Sequence, residues 1–320
     1  MLERGRRLTV RARAKVNLGL EVLSRRADGY HELLTVLSPV DLADRLILET
    51  TEGSGPGGGD IEVSCETPGV PLGADNLVWR AADLLRREAG VAAGARIRIV
   101  KAIPIAAGLG GGSADAAAVL LGLGRLWRLS LSAARWRALA TALGMDVPFF
   151  LGDGPALGSG RGERLGAVPP HGPIPLVLVS PGFPLTTGEV YARLEPGDFT
   201  DGAAVRGLVA ALPSGPRAIA ARLYNGLERP AARLWPGLAE VKAALLEAGA
   251  LGAVMSGSGP TVVGVAASSA AARRIASALT ARPWRCWATR SVAGPALSVV
   301  PGGAAGEAKR RVASWGVAKR

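Results

Sequence analysis

The sequence predicts an α+β protein of two domains, and three observations carry that reading. Strand-like and helix-like segments are mixed along the chain without strict β–α–β alternation, which argues against a doubly wound parallel sheet. Hydrophobic residues make up 48% and charged residues 20% of the 320 positions, enough apolar material for a sizeable buried core. Pro and Gly cluster between Gly152 and Pro175, where the boundary between the two halves is expected. Aromatic residues account for only 4%, so the core must be built from Ala, Val and Leu.

Leu8–Val16 and Leu18–Leu23 read as strands, with polar and apolar residues alternating over Thr9–Arg13. Arg45–Thr51 and Asp60–Cys65 are two more, joined as a hairpin by the flexible, glycine-rich run Glu52–Gly59. Leu77, Val78, Ala81, Leu84 and Leu85 fall on one helical face and predict a helix over Asn76–Ala89. Arg96–Lys101 alternates as a strand. An Ala/Leu helix follows over Ser113–Trp127, then another over Leu131–Leu143, ended near Gly144. The second half holds strands at Leu176–Ser180, Ala253–Met255 and Thr261–Val265, and helices near Thr187–Leu194, Ala203–Leu212, Leu238–Ala248 and Ala270–Ala281. Domains are expected over residues 1–165 and 166–299, with residues 300–320 a basic, disordered tail.

The formal net charge of +12 invites a nucleic-acid reading, and its distribution argues against it. The first fifteen residues carry +5 and the last twenty +4, leaving +3 on the 285 between. A nucleic-acid interface needs its basic charge clustered on the folded body, so solvated termini are the better reading. Cys65 and Cys286 lie far apart and outside any C-x-x-C pattern, and His31 and His171 are too few for a His-rich metal centre. No apolar run reaches the length of about 18 residues that a membrane span needs. Asn17 and Glu21 interrupt what would be the apolar core of a signal peptide. The expectation is a cytoplasmic protein, monomer or homodimer, whose partner is a small molecule and not a nucleic acid or a membrane.

Two loops carry chemistry. In Ile103–Asp115 the residues Pro104, Ile105, Ala106, Ala107, Gly108, Leu109, Gly110, Gly111, Gly112, Ser113 and Ala114 run from a strand into a helix. Glycines there let backbone N–H groups approach a phosphate, and the positive end of the helix faces the anion. Ser113 is read as capping that helix or turning its hydroxyl to a magnesium ion or a phosphate. The run lacks the Gly-Lys-Ser/Thr of a P-loop and the third glycine of a dinucleotide fingerprint, and a plain glycine turn is the alternative. The second loop, Met255–Thr261, contains Gly257, Ser258 and Gly259, and alone reads as a turn. Together the two suggest backbones converging on one ligand. Lys15, the only lysine in the first hundred residues, reads alone as a strand-edge surface residue, and Asp146 as a turn aspartate before Val147-Pro148.

With Ala14-Lys15-Val16-Asn17-Leu18, these loops resemble the three motifs of the GHMP small-molecule kinases. Arg26–Glu32, Gly144–Phe150, Pro181–Thr187 with Val190-Tyr191, and Asn225–Glu228 narrow the resemblance, over about residues 8–299, to members acting on a cytidine-diphosphate-linked methylerythritol. The resemblance implies a ribosomal-S5-like N-terminal domain, a ferredoxin-like C-terminal domain and a deep cleft between them. It also implies transfer of the γ-phosphoryl group of ATP, carried with Mg2+, to the acceptor's 2-hydroxyl in the non-mevalonate isoprenoid pathway. Asp146 becomes the base that takes the hydroxyl proton, and Lys15 the cation that neutralises charge developing on the acceptor oxygen. Tyr30, His31 and Tyr191 become the cytosine site, two aromatic walls and an imidazole edge, with Asn17 and Thr187 as polar contacts. Ala114 and Thr186 depart from the family, which often has serine at both places. The rivals are a homoserine- or mevalonate-type GHMP kinase, whose acceptor offers nothing to stack, and a non-catalytic nucleotide- or RNA-binding protein on the same fold.

Overall fold

A computed structural model of the chain describes residues 6–52 and 59–300. All of the expected basic tail after Val300, which ends the last strand, and most of the Glu52–Gly59 run therefore lie outside the described residues. β1 (Arg7–Arg25) and β2 (His31–Thr51) form one long antiparallel pair. Sequence periodicity divides β1 in two because it alternates only as far as Arg13. From Ala14 to Val22 every residue is buried, so both faces are covered and the period of two disappears. The ladder shifts register at Arg13/Lys15, Asn17/Gly19 and Val22/Ser24, and these irregularities re-aim the side chains between them.

β3 (Ile61–Cys65) does not make the expected hairpin with β2. β4 (Gly94–Val100) lies between them, antiparallel to β2 and parallel to β3. A parallel pair needs a long crossover, and α1 (Leu77–Ala89) supplies it. Asn76 caps α1 by accepting the Val78 N–H at 2.9 Å, and Gly90 ends it at φ +60°. α2 (Gly111–Leu126), α3 (Ala133–Leu143) and the single turn α4 (Val147–Phe150) follow. The Pro/Gly-rich stretch read as a boundary also holds a hairpin, β5 (Ala156–Gly160) and β6 (Arg164–Ala167). β5 pairs with the Leu33–Leu37 part of β2.

β7 (Pro175–Ser180) begins a second sheet. After α5 (Thr187–Tyr191), α6 (Ala203–Ala211) and α7 (Pro216–Ala220), the two-residue β8 (Tyr224–Asn225) runs parallel to β1. Next come α8 (Glu228–Leu234), α9 (Leu238–Glu247), β9 (Gly252–Met255), β10 (Val262–Val265), α10 (Ser269–Ala278) and β11 (Arg285–Arg290). The second sheet is antiparallel throughout, ordered β11-β7-β10-β9. Numbered within that sheet the order is 4-1-3-2, a ferredoxin-like arrangement, and the α+β class stands. The last strand, β12 (Leu297–Val300), returns to β1, giving a first sheet of eight strands along β12-β1-β2-β4-β3. No helix among the described residues is long and apolar enough to cross a membrane.

Three apolar clusters hold these layers. One lies under α1–α3 and a second under α8–α10. The third joins the two sheets through Ala14, Val16 and Leu18 of β1 and Leu176, Leu178 and Val263 of the second sheet, with Ile103, Ala107 and Leu109 from the glycine loop. Burial of the loop's apolar residues in that shared core sets where its backbone stands.

Small residues let α2 sit close to its neighbours. A Cβ at Gly124 would stand 2.5 Å from the Trp136 ring, whereas one at Gly207 on α6 would meet nothing nearer than 3.6 Å. Overpacking typically costs about 1–3 kcal/mol, and Gly to Ala within a helix gains about 1 kcal/mol. Gly207→Ala is expected to raise the urea midpoint and Gly124→Ala to lower it. Two shifts of the same sign would remove the close approach of α2 to α3 as the controlling factor.

Candidate active site

Between the two sheets lies a cavity of about 1370 Å³. Small-molecule sites usually measure about 300–1,000 Å³, so this one has room for two ligands. Its walls include Lys15, Asn17, Tyr30, His31, Asp146, Thr187 and Tyr191, the glycine loop from Pro104 to Ser113, and Gly257–Gly259. Leu109 and Ala114, although in the predicted loop, belong to the core and not to the walls.

The strand irregularities flanking Lys15 and Asn17 put both side chains at the cavity. Lys15 is only 4% exposed, and a charge so buried needs polar partners. Its Nζ donates to Asn17 Oδ1 at 2.7 Å and lies 3.4 Å from Asp146 Oδ2. Asn17 Nδ2 in turn donates to Thr35 Oγ1 at 2.8 Å, and the Thr35 hydroxyl to the Gly19 carbonyl at 2.7 Å. This chain of donors fixes which end of the Asn17 amide meets the lysine. Asp146 stands at the entry to α4, bonded to no backbone N–H of that turn, with a side chain 39% exposed. The carboxylate is therefore left available to a ligand.

The two glycine loops touch. Gly108 has φ +74°, and a Cβ there would fall 2.3 Å from the Ser256 carbonyl oxygen. Ser256 Oγ donates to the Gly108 carbonyl at 3.0 Å and accepts the Asn17 N–H at 3.2 Å, tying β1 to both loops. The Lys15 N–H donates to the Leu109 carbonyl at 2.9 Å. From the far side, Asn225 Nδ2 donates to the carbonyls of Met255 and Gly257 at 2.7 and 2.8 Å. Thr187 and Ser258 share a hydroxyl hydrogen bond at 3.1 Å. The expected capping role of Ser113 is not what is found. Gly110, at φ +69°, is the N-cap of α2 and Ser113 lies in its first turn. The Ser113 hydroxyl makes no hydrogen bond among the described residues and lines the cavity. The first helical bond runs from the Ala114 N–H to the Gly110 carbonyl, which leaves the N–H groups of Gly111, Gly112 and Ser113 for an anion.

Sequence reasoning missed three groups. Val70, Pro71 and Leu77, beside the capping Asn76, give the glycine-loop end of the cavity an apolar wall. Arg25 and Arg161 line the opposite end. Beneath the glycine loop, Lys101 Nζ donates to Asp44 Oδ2 and, at 2.8 Å, to Asp115 Oδ2. Asp44 Oδ1 also accepts the N–H groups of Ala102 and Ile103 at 2.6 and 2.9 Å, anchoring the loop's first residues. Asp115 Oδ1 is buried without a partner among the described residues. Burial pushes the Asp115 carboxyl up from its ordinary value, Lys101 opposes this, and the charge of Asp44 adds to the rise.

At the other end, Tyr30 sits at the tip of the β1–β2 hairpin, 52% exposed, with the Arg161 guanidinium 4.9 Å from its ring centroid. The His31 ring lies 5.1 Å from that of Tyr191 and 6.1 Å from that of Phe199. Burial, and then the charge of Arg25, hold His31 below its ordinary value, so it is neutral at neutral pH. Burial foremost, and then Asp146, raise the Tyr191 hydroxyl. Tyr191 is thus close enough to Asp146 to feel its charge, while its ring packs on His31.

The raised Asp115 carboxyl has a consequence for stability. Between the ordinary carboxylate value of about 3.9 and the raised one, the folded chain binds more protons than the unfolded chain. Stability therefore falls as pH rises through that window. Asp115→Asn removes this loss, so its urea midpoint should gain on that of the wild type between about pH 5 and pH 8. A constant difference across that range would show that Asp115 ionises as it does in the unfolded chain.

Comparison with known proteins shows the family. Residues 76–154 match the family model for the GHMP kinases N terminal domain and residues 209–285 that for the GHMP kinases C terminal. The chain is 49% identical over 271 residues to the 4-diphosphocytidyl-2-C-methyl-D-erythritol kinase of Pelotomaculum thermopropionicum, covering 84% of this chain and 93% of that one. A solved 4-(cytidine 5'-diphospho)-2C-methyl-D-erythritol kinase superposes with a TM-score of 0.75 at 41% identity, over 88% of this chain and 98% of that one. A homoserine kinase from Cytophaga hutchinsonii superposes with a TM-score of 0.72 at only 22% identity, over 92% and 97% of the two chains, a likeness of fold alone. With half of the aligned residues shared along most of its length, the chain belongs to the 4-diphosphocytidyl-2-C-methyl-D-erythritol kinase family of the GHMP kinases.

Proposed function

We propose that the chain transfers the γ-phosphoryl group of ATP to the 2-hydroxyl of 4-diphosphocytidyl-2-C-methyl-D-erythritol, giving the 2-phosphate and ADP, as a cytoplasmic step of the non-mevalonate pathway to isoprenoid precursors. The observation that carries this reading is the Lys15–Asp146 pair, 3.4 Å apart, in a cavity with a phosphate-type glycine loop at one end and an aromatic rim at the other.

Phosphoryl transfer asks mainly for positioning and charge stabilisation, plus a group to receive the hydroxyl proton. The free N–H groups at the start of α2 and the loop backbone from Gly108 to Gly112 hold the nucleotide phosphates. The wall of Val70, Pro71 and Leu77 takes the adenine. Asp146 accepts the proton of the 2-hydroxyl as the oxygen attacks. Lys15, held by Asn17, stabilises the negative charge that develops on that oxygen, in a buried setting where its field is little screened. Thr187 and Ser258 hold the acceptor from the second loop, and His31 offers a neutral ring edge for hydrogen bonds to cytosine.

Mg2+ binds oxygen ligands and is usually carried on the phosphates with several waters. No cluster of three or more His, Cys, Asp or Glu suited to a metal occurs among the described residues, and Ser113 has a hydroxyl without a protein partner at the cavity wall. These donors fit an ion that arrives with the nucleotide, Ser113 giving one oxygen. When bound, the ion neutralises charge on the phosphate oxygens.

ADP release with MgATP is expected with the cytidine-diphosphate methylerythritol and not with homoserine or mevalonate. Turnover of either of the latter alone would overturn the acceptor assignment. A positioned base contributes about 10²–10⁴ in rate, so Asp146→Asn should lower kcat at least about a hundredfold while the KM for ATP changes little. Activity within about tenfold of wild type would remove Asp146 from the base role.

A further inference from the structure

We propose that Thr35 is a positioning residue for the phosphoryl transfer, acting on the Lys15 ammonium through the Asn17 amide. The proposal rests on the role given above to Lys15, the cation that meets the charge developing on the acceptor oxygen.

A buried ammonium stabilises an oxyanion only where its N–H groups point, so what aims it matters as much as its charge. Lys15 Nζ has two partners among the described residues, Asn17 Oδ1 at 2.7 Å and Asp146 Oδ2 at 3.4 Å. Asp146 takes up the hydroxyl proton in the proposed reaction, which leaves Asn17 as the fixed partner. An amide has two ends, and only its oxygen suits an ammonium. Turned over, it would set Nδ2 against Nζ, donor against donor.

Thr35 makes that choice. Its hydroxyl gives its single proton to the Gly19 carbonyl at 2.7 Å, so toward Asn17 it can only accept. It accepts from Asn17 Nδ2 at 2.8 Å, and Oδ1 is thereby turned to the lysine. Asn17 and Thr35 are each 3% exposed, so bulk water does not compete for these bonds.

The backbone around them is held by other means. The Asn17 N–H donates to Ser256 Oγ at 3.2 Å and the Lys15 N–H to the Leu109 carbonyl at 2.9 Å. Thr35 pairs with Leu20 across the β1–β2 ladder and with Gly158 of β5. Its Cγ2 faces β5, where a Cβ at Gly158 would stand 3.0 Å from it. Valine has that same branch and a comparable preference for strands. Packing therefore accounts for a β-branched residue at this place, and the hydroxyl needs another reason.

The test measures kcat and both KM values for the wild type, Thr35→Val, Thr35→Ser, Asn17→Ala and the double variant of Asn17→Ala with Thr35→Val. Thr35→Val leaves Asn17 Nδ2 buried without an acceptor and frees the amide to turn, so kcat should fall about tenfold. The KM for ATP should stay within about twofold, because the nucleotide is held elsewhere. Thr35→Ser, which keeps the hydroxyl, should recover most of the loss. Asn17→Ala has no amide to orient, so adding Thr35→Val to it should lower kcat no further. A wild-type kcat in Thr35→Val, or a fall of the same size in both backgrounds, overturns the relay. Should the valine variant not fold, Thr35→Ala removes the same hydroxyl and is read in the same two backgrounds. A wild type that phosphorylates homoserine or mevalonate instead overturns the acceptor assignment, and the same series on that acceptor decides for or against Thr35.

Discussion

The cleft depends on one close approach, the backbone of Gly108 against the backbone of Ser256–Gly259. A side chain at Gly108 would overlap the Ser256 carbonyl oxygen, so the two halves of the chain meet here through main-chain atoms and small side chains. The Ser256 hydroxyl joins both loops to β1 within a few ångströms of Asn17 and Lys15. Lys15 therefore takes its position from the same contact that closes the second loop on the first. Asn225 holds that loop through two of its carbonyls, which explains the place of Asn225–Glu228 in the resemblance although of those four residues only Leu227 lines the cavity. The Glu228 carboxylate accepts the Met255 N–H at 2.8 Å and fixes the strand entering the loop.

Much of this was legible in the sequence, and the misses share a physical cause. Glycine loops stand out because few other residues tolerate left-handed backbone, and a lone lysine in a hundred residues stands out by count. Lys101, Asp44 and Asp115 do not, since each alone resembles a polar residue at a strand or helix end, and only β2, β4 and α2 together assemble them. Asn76 was read as the start of a helix and is its cap as well as a neighbour of the nucleotide wall. Of the two readings of Ser113, the cap falls away because the left-handed Gly110 takes that position, which leaves the hydroxyl at the cavity wall. The β5–β6 hairpin was hidden because its five- and four-residue strands carry glycines, and composition alone cannot separate a short edge hairpin from a linker.

The buried charges divide the labour along the cleft. Under the glycine loop, one ammonium faces the carboxyl groups of Asp44 and Asp115, a group that anchors backbone and has little positive charge left for a ligand. At the centre, one ammonium faces a single half-exposed carboxylate and an amide oxygen, so its charge remains useful to an incoming anion. On the proposed function, the nucleotide phosphates meet mainly N–H groups and the helix end, and the developing alkoxide meets a full charge. That separation suits a reaction in which the donor's charge is largely neutralised by its own metal and the acceptor's is not.

At the acceptor rim, the imidazole of His31 is kept neutral by burial and by the neighbouring Arg25, and it lies against Tyr191. A neutral ring with one donor and one acceptor reads the edge of an uncharged base, and its attraction for a phosphate is weak. Tyr191 and His31 lie toward Asp146, whereas Tyr30 and Arg161 lie together on two turns tied by the Gly160–Glu32 bond. On the proposed function, a homoserine or mevalonate acceptor, which has no base, would leave His31 and Tyr191 without a partner.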